Sequence, residues 1–143
     1  MAKLGPHHLG DFDMRLATAA GLCAALALLA TTAMAATPNI SGVWHVRGEI
    51  RYGNAIVSGT PTCTFRQVGG SLSGECVGPN ARGPLTGEIS GNQVSWTWRN
   101  MPTTAAGING ETGFNGTYVS SHLIRGEMRS TAVPATGTFT QTR

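Results

Sequence analysis

The chain has 143 residues, a net charge of +3 and 12% charged residues, which limits it to one small domain with a modest core. Beyond residue 35, the charge comes from eight arginines and five glutamates, with no lysine and no aspartate. This composition excludes a Schiff-base lysine and any catalytic triad that depends on aspartate in that region. The arginines are scattered and no aromatic residues alternate with them, so no nucleic-acid partner is expected.

The first 35 residues are predicted to be a cleaved signal peptide. An apolar run rich in alanine and leucine follows Arg15 and ends in Ala33-Met34-Ala35, the small-x-small pattern of a secretory cleavage site. The residues before this run carry two aspartates, which do not suit a signal peptide, so Met14 is an alternative start. A membrane anchor is the competing interpretation, but the run is short for a span. We therefore expect a mature domain, residues 36–143, that is secreted or periplasmic and has no membrane span.

The mature chain predicts eight β-strands and no helix, because apolar and polar residues alternate with a period of two. In order, the predicted elements are the strand Ile40–Ile50, the hairpins Thr62–Val77, Leu85–Arg99 and Phe114–Met128, and the strand Thr136–Thr142. The last hairpin is expected to turn over three residues, Ser120-Ser121-His122. The connections are predicted as a glycine-rich link through 53–61, a loop over 78–84 and a long aperiodic loop over 100–111.

The hairpin Leu85–Arg99 shows the clearest register. A two-residue turn at Gly91-Asn92 separates two alternating runs, which puts the apolar residues of both strands on one face. The inward pairs are Ile89 with Val94, Gly87 with Trp96 and Leu85 with Trp98. At the middle pair, the glycine leaves room for the indole and lets the strand bend as a closed sheet must.

Two cysteines, Cys63 and Cys76, remain after the leader. With Gly69-Gly70 as a two-residue turn, they stand directly opposite each other at a non-hydrogen-bonded pair, where the Cα atoms approach closely. A cross-strand disulfide is therefore predicted, in agreement with export. The alternative is a pair of reactive or metal-binding thiols, for which no partner residues are found.

Sequential hairpins with one apolar face close into a barrel or stack as a sandwich. A sandwich leaves edge strands that need protection, whereas these strands carry no inward charge and no proline that would block an edge. We therefore predict an all-β fold, an antiparallel up-and-down meander closed as an eight-stranded barrel. At this strand number the interior holds packed side chains or one small ligand.

The order of short signatures along the mature chain resembles the avidin and streptavidin family and, more loosely, lipocalin-like barrels. The signatures are ISGVW, SLSGE, LTGE followed by VSW, FNGTYVS and GTFT. The resemblance implies a small secreted eight-stranded barrel. It also places Trp96 where the family has a ring-stacking tryptophan, and Thr112 near a hydroxyl that meets the thioether sulphur of biotin.

The biotin site itself is mostly not matched. Val46, Cys76, Met128 and Gly137 stand where the family has asparagine, tyrosine, tryptophan and aspartate. Each missing partner would leave a polar group of the ureido ring unpaired, at a cost of about 1 to 3 kcal/mol. Tight biotin binding is therefore not expected.

The inward aromatic residues are the candidate binding surface. Together with Thr112, the residues predicted to line a pocket at the barrel mouth are Trp44, Trp96, Trp98 and Tyr118, with the 100–111 loop as a lid. The expected partner is a small, mostly apolar molecule, without a cofactor. The competing interpretation is a solid core without a cavity. His45 and His122 have no predicted convergence, so no metal is expected either.

Two other functions stay open. A protein-interaction module, such as a periplasmic protease inhibitor, would act through the 50–61 and 100–111 loops. An isomerase or cyclase would use Tyr118 or Glu111 as an acid, but no catalytic constellation accompanies them, so the sequence favours binding over catalysis. The sequence leaves the oligomeric state open.

Overall fold

The computed structural model describes residues 35–131 and 134–143, so all but the last residue of the predicted leader lies outside the described residues. In this part of the chain there are nine β-strands and no helix, which confirms the all-β prediction. The strands are β1 Gly42–Tyr52, β2 Ala55–Gly59, β3 Thr62–Val68, β4 Ser71–Val77, β5 Ala81–Ser90, β6 Gln93–Pro102, β7 Gly110–Ser120, β8 Leu123–Ser130 and β9 Ala135–Thr142. None of these residues belongs to a helix that could cross a membrane.

Antiparallel pairing closes the sheet into a barrel. The strand order is β2-β1-β3-β4-β5-β6-β7-β8-β9, and β1 also pairs with β9. Eight strands, all except β2, therefore form the closed barrel that the sequence predicts. Closure pairs the backbone groups that would otherwise form sheet edges. β1 is shared between two neighbours on one side, because residues 42–45 pair with β3 and residues 48–52 pair with β2.

The predicted link through 53–61 is wrong in part, because it contains the strand β2. Gly53 takes a φ of +59° at the first turn position, so the chain reverses tightly and β2 pairs with β1. All five residues of β2 are exposed, so the strand has no buried face and no alternation that a sequence pattern would show. Between β2 and β3, the pairing along β1 is interrupted at Pro61. The Pro61 carbonyl accepts a hydrogen bond of 2.9 Å from Val46 N, and β3 then continues the pairing with β1.

Two predicted loops are shorter in the structure. β5 begins at Ala81, inside the predicted 78–84 loop. The β6–β7 loop covers only 103–109, because β6 runs to Pro102 and β7 starts at Gly110. Pairing with neighbouring strands extends these ends although their own residues show no strand pattern.

The β7–β8 hairpin keeps its predicted register but not its predicted turn. Tyr118 faces Ile124 as expected, whereas Ser120 pairs with Leu123 and an irregularity lies between Tyr118 and Ser120. The turn therefore has two residues instead of three. The extra residue forms a bulge in β7, a feature that bends a strand and increases its local twist.

The other two hairpins have the predicted registers. Gly87 lies opposite Trp96 between β5 and β6, and Cys63 lies opposite Cys76 between β3 and β4. The two cysteine Cα atoms are 4.0 Å apart and the sulphurs form a disulfide. Such a bond is typical of proteins that fold in an oxidising compartment.

Reduction of this disulfide should weaken the domain without abolishing its fold. The two cysteines are only 13 residues apart in the sequence. The bond therefore restricts the unfolded chain modestly, and its loss should lower the free energy of unfolding by about 2 to 3 kcal/mol. Chemical denaturation with and without reductant measures this difference. Two free thiols in the intact mass of the exported protein would contradict the pairing.

Aromatic side chains fill the middle of the barrel. Trp96 stacks on Phe114 with ring centroids 3.9 Å apart and an interplanar angle of 7°. Phe65 meets Trp96 edge-on at 5.1 Å, and Phe139 meets Phe114 edge-on at 5.1 Å. The aliphatic residues buried around them are Ile40, Val46, Leu72, Leu85, Ile89, Val94 and Ile124. This part of the barrel is therefore a solid core.

Arg143 closes the end of the barrel at which the chain leaves β9. Its guanidinium donates hydrogen bonds to the carbonyls of Asn39 (3.3 Å), Ser41 (2.9 Å) and Ser121 (2.7 Å). It also lies 4.4 Å from the centroid of the Trp44 ring, where a cation is attracted to the aromatic face. One side chain thus ties the segment before β1 to the β7–β8 turn.

Gln67 seals the same end from β3. Its Nε2 donates to the carbonyls of Pro38 (3.1 Å) and Gly69 (3.0 Å), and its Oε1 accepts a hydrogen bond of 2.8 Å from Ile40 N. Trp44 Nε1 donates to the Ile40 carbonyl at 2.8 Å. These bonds hold the fully buried Ile40 side chain in the core, so this end of the barrel is closed.

Candidate functional site

The opposite end of the barrel contains a cavity of about 290 Å³. Its walls come from inward residues near the strand ends, and its mouth is bordered by loops and by β2. The strand residues are Val46, Gly48, Ile50, Trp98, Asn100, Thr112, Phe114, Met128 and Ser130, and the bordering segments are 57–61, 78–81 and 106–108. The barrel is therefore closed at one end and open at the other.

The described residues that line this cavity carry no charge. Trp98, Phe114 and Met128 form an apolar wall. Beside them, Thr112 Oγ1 donates a hydrogen bond of 3.2 Å to Asn100 Oδ1, which fixes a hydroxyl and an amide as a polar pair. Because an ion would lose its hydration here without a counter-charge, the cavity suits a neutral molecule.

Asn80 anchors the loop that was predicted as a lid. The Asn80 carbonyl accepts a hydrogen bond of 2.9 Å from Thr103 N, and its Oδ1 accepts one of 3.0 Å from Thr104 Oγ1. Gly107 N donates to the Thr104 carbonyl at 3.0 Å, which turns the loop back toward the barrel. Residues 106–108 of this loop border the cavity.

Two of the five candidate residues come together in this cavity. Trp98 and Thr112 belong to its lining. Trp44 and Trp96 are packed in the core, with 0% and 2% of their surface exposed, and lie outside the lining. Tyr118 is half-buried near the β7–β8 turn and also lies outside it. The cavity uses the inward residues nearest the loops rather than every inward aromatic residue.

The sequence prediction missed the polar residues of the mouth. Asn100 and Ser130 lie near the ends of β6 and β8 and line the cavity. Asn100 fell in the predicted loop because the strand was expected to end at Arg99. Continuing the inward alternation of Trp96 and Trp98 by one step leads to Asn100, and this is the signal that identifies it.

The cavity offers no general acid or base from the described residues. Tyr118 and Glu111, the acids considered for an isomerase or cyclase, are not in its lining. His45 Nδ1 lies 3.4 Å from Thr62 Oγ1 on the exposed surface, and His122 sits in the β7–β8 turn. Within residues 35–131 and 134–143, no group of three or more His, Cys, Asp or Glu side chains could hold a metal ion.

The four positions that differ from the avidin pattern fall in different places. Val46 and Met128 line the cavity, whereas Cys76 is held in the disulfide. Gly137 packs directly against β1, and a Cβ atom there would lie 2.8 Å from Ile50 Cα, so a longer side chain does not fit. The barrel is compatible with avidin-like and lipocalin-like barrels, but these four positions supply no polar contacts for a ureido ring.

Comparison of the sequence with protein-family models finds no matching family, and comparison with characterised proteins finds no match either. The family resemblance rests on the strand signatures and on the barrel architecture.

Proposed function

We propose that residues 36–143 form an exported binding protein for a small, neutral and mostly apolar molecule, held in the cavity at the open end of the barrel. The observation that carries this proposal is an uncharged cavity with apolar walls in a barrel whose other end is closed. Small-molecule sites are typically concave and mostly apolar, with a few fixed polar groups. The cavity volume of about 290 Å³ lies at the lower end of the range that small-molecule sites occupy.

The lining residues divide into three roles. Trp98 and Phe114 supply rigid aromatic surface, and Met128 supplies an adaptable contact at the end of a flexible side chain. The pair of Thr112 and Asn100 orients a polar atom of the ligand. The other predicted aromatic residues act indirectly, by packing the core that supports this wall.

Export is supported by two features. The disulfide between Cys63 and Cys76 suits an oxidising compartment. The apolar run that ends at Ala35 has the pattern of a cleaved leader. We therefore place the mature domain in the periplasm or outside the cell.

Two aromatic probes of equal size test the site. Acetophenone is neutral and benzoate is an anion, so isothermal titration calorimetry should show binding of acetophenone only. Ala106→Trp should abolish this binding because residue 106 borders the cavity, whereas Ala105→Trp on the neighbouring exposed residue should preserve it. Equal binding of both probes, or full binding by Ala106→Trp, would contradict the site.

Biotin is a further control in the same titration. Val46 and Gly137 provide no hydrogen bonds for the ureido ring, so we expect weak binding or none. A nanomolar dissociation constant, about −12 kcal/mol, would show that the family's function is retained and that our residue assignment is wrong. Native mass spectrometry of protein from its own host should instead reveal a different bound molecule.

A protein-interaction function has one observation in its favour. Of the two segments expected to carry it, residues 57–61 of one and 106–108 of the other border the cavity mouth. Val57 and Ile108, which belong to these segments, are exposed apolar residues. A macromolecular partner that contacted both segments would therefore cover the same cavity.

A further inference from the structure

Among the described strands, β2 alone has a free edge. It pairs with β1 on one side, and no strand pairs with its other side, whereas closure of the barrel gives every other strand neighbours on both sides. A free edge presents unpaired backbone N–H and C=O groups. Such an edge is a template for the addition of another β-strand.

The register shows which groups this edge offers. Tyr52 and Ala55 close a two-residue turn and form a hydrogen-bonded pair, and the two kinds of pair alternate from there. Ile56 and Ser58 fall at non-hydrogen-bonded positions opposite β1. Their N–H and C=O groups therefore point away from β1, toward the free edge.

This edge lacks the features that usually block strand addition. β2 has the sequence AIVSG, which contains no charged residue and no proline, and all five residues are exposed. Ile56 is 58% exposed and Val57 is 45% exposed. The edge is thus apolar, accessible and unprotected.

The free edge also borders the cavity. Val57 and Ser58 belong to the lining, which continues across the mouth with 78–81 and 106–108. Paired strands lie about 4.8 Å apart, so an added strand would run along β2 over the mouth. Its residue opposite Val57 would direct its side chain to the same face as Val57, toward the cavity.

We infer that the occupant of the cavity is an apolar side chain of an extended peptide that adds antiparallel to the edge of β2. This inference rests on the proposed binding function and identifies its neutral apolar ligand as part of a peptide. The residues on either side of the inserted one form hydrogen-bonded pairs with Ile56 and Ser58. An acidic or basic central residue is rejected, because the lining offers no counter-charge.

The probe is a pentapeptide with a central phenylalanine between threonines. Its ends are acetylated and amidated, which removes the terminal charges. Calorimetry should show binding that is lost when the centre is glutamate. N-methylation of either residue next to the phenylalanine removes a hydrogen bond to β2 and should weaken binding about tenfold. N-methylation of the phenylalanine itself, whose N–H points away from β2, should leave binding intact. No loss with any methylated peptide would overturn the edge pairing.

A matched pair of protein variants tests the same hydrogen bonds by changing β2 instead of the peptide. Ile56→Pro removes an N–H that faces the free edge without removing a hydrogen bond to β1, and proline is tolerated at such edge positions. It should weaken peptide binding about tenfold, while acetophenone binding stays unchanged because Ile56 does not line the cavity. Ile56→Thr keeps the N–H and should retain the peptide. Unchanged peptide binding in Ile56→Pro would contradict the inference.

The two probes separate the two proposals. Binding of acetophenone without the peptide overturns the inference and leaves the proposed function standing, whereas binding of neither probe overturns both. Sedimentation velocity supplies the remaining outcome. A dimer that dissociates in Ile56→Pro would show that the edge of β2 pairs with a second copy of the chain, and it would overturn the inference that a peptide binds there.

Discussion

Gly87→Val should lower the free energy of unfolding by about 3 kcal/mol, near the upper end of the range for overpacking. A Cβ atom at this position would lie 2.6 Å from Trp96 Cα and would also meet the Ser95 carbonyl oxygen. Backbone atoms cannot rotate away, so the paired strands must separate. For a domain of about 100 residues this corresponds to a fall in melting temperature of roughly 12 to 24 °C, measurable by circular dichroism.

A pair of alanine variants is the matched control: Gly87→Ala places a Cβ atom against Trp96, whereas Gly48→Ala places one against Met128. The Cβ atom of Gly48→Ala would approach Met128 Sδ at 2.5 Å and Met128 Cε at 2.9 Å, which form the end of a flexible side chain. Because that side chain can move, the expected loss is about 1 kcal/mol or less. Similar melting temperatures for Gly48→Ala and Gly87→Ala would show that the tight pairing with Trp96 does not constrain the sheet.

Trp96→Ala should be the most destabilising large-to-small change in the core, at about 3 to 5 kcal/mol. The indole stacks on Phe114 and receives the edge of Phe65, so its removal leaves a cavity that several rigid aromatic rings cannot fill. Urea titration measures the loss of stability directly.

The fluorescence response to acetophenone separates a core role from a binding role. Acetophenone bound in the cavity should quench the fluorescence of Trp98, which belongs to the cavity wall. Trp98→Phe should therefore weaken both this quenching and the affinity for acetophenone. Trp96→Phe keeps a packed ring in the core and should bind acetophenone as the unsubstituted protein does. If Trp96→Phe lost the ligand while Trp98→Phe retained it, the cavity would not be the site.

The registers of the β3–β4 and β5–β6 hairpins were predictable because two local signals agree. Alternation with a period of two fixes which residues face inward, and a glycine at a two-residue turn fixes where the strands reverse. Gly91 and Gly69 take φ values of +56° and +59°, which suit the first position of such turns. Counting outward from the turn at Gly69 gives the pairing of Cys63 with Cys76.

The position of the cavity was less predictable. Alternation tells which residues face inward, but the strands of a barrel are tilted by about 35 to 45°, so inward residues on different strands lie at different heights. Trp98 therefore reaches the open end, whereas Trp44 lies under Arg143 at the closed end. The strand β2 was missed for a related reason, since a strand without a buried face has no alternation to detect.

The contact between Arg143 and Ser41 joins residues 102 positions apart in the sequence, beside the pairing of β1 with β9. Because the first and last strands of the barrel are neighbours, residues 45–51 of β1 have no partner on that side until β9 is available. Pairings this distant in sequence make folding slow, typically milliseconds to seconds. During the proposed export, the barrel can close only after β9 has crossed the membrane. The interval before closure is when aggregation competes with folding.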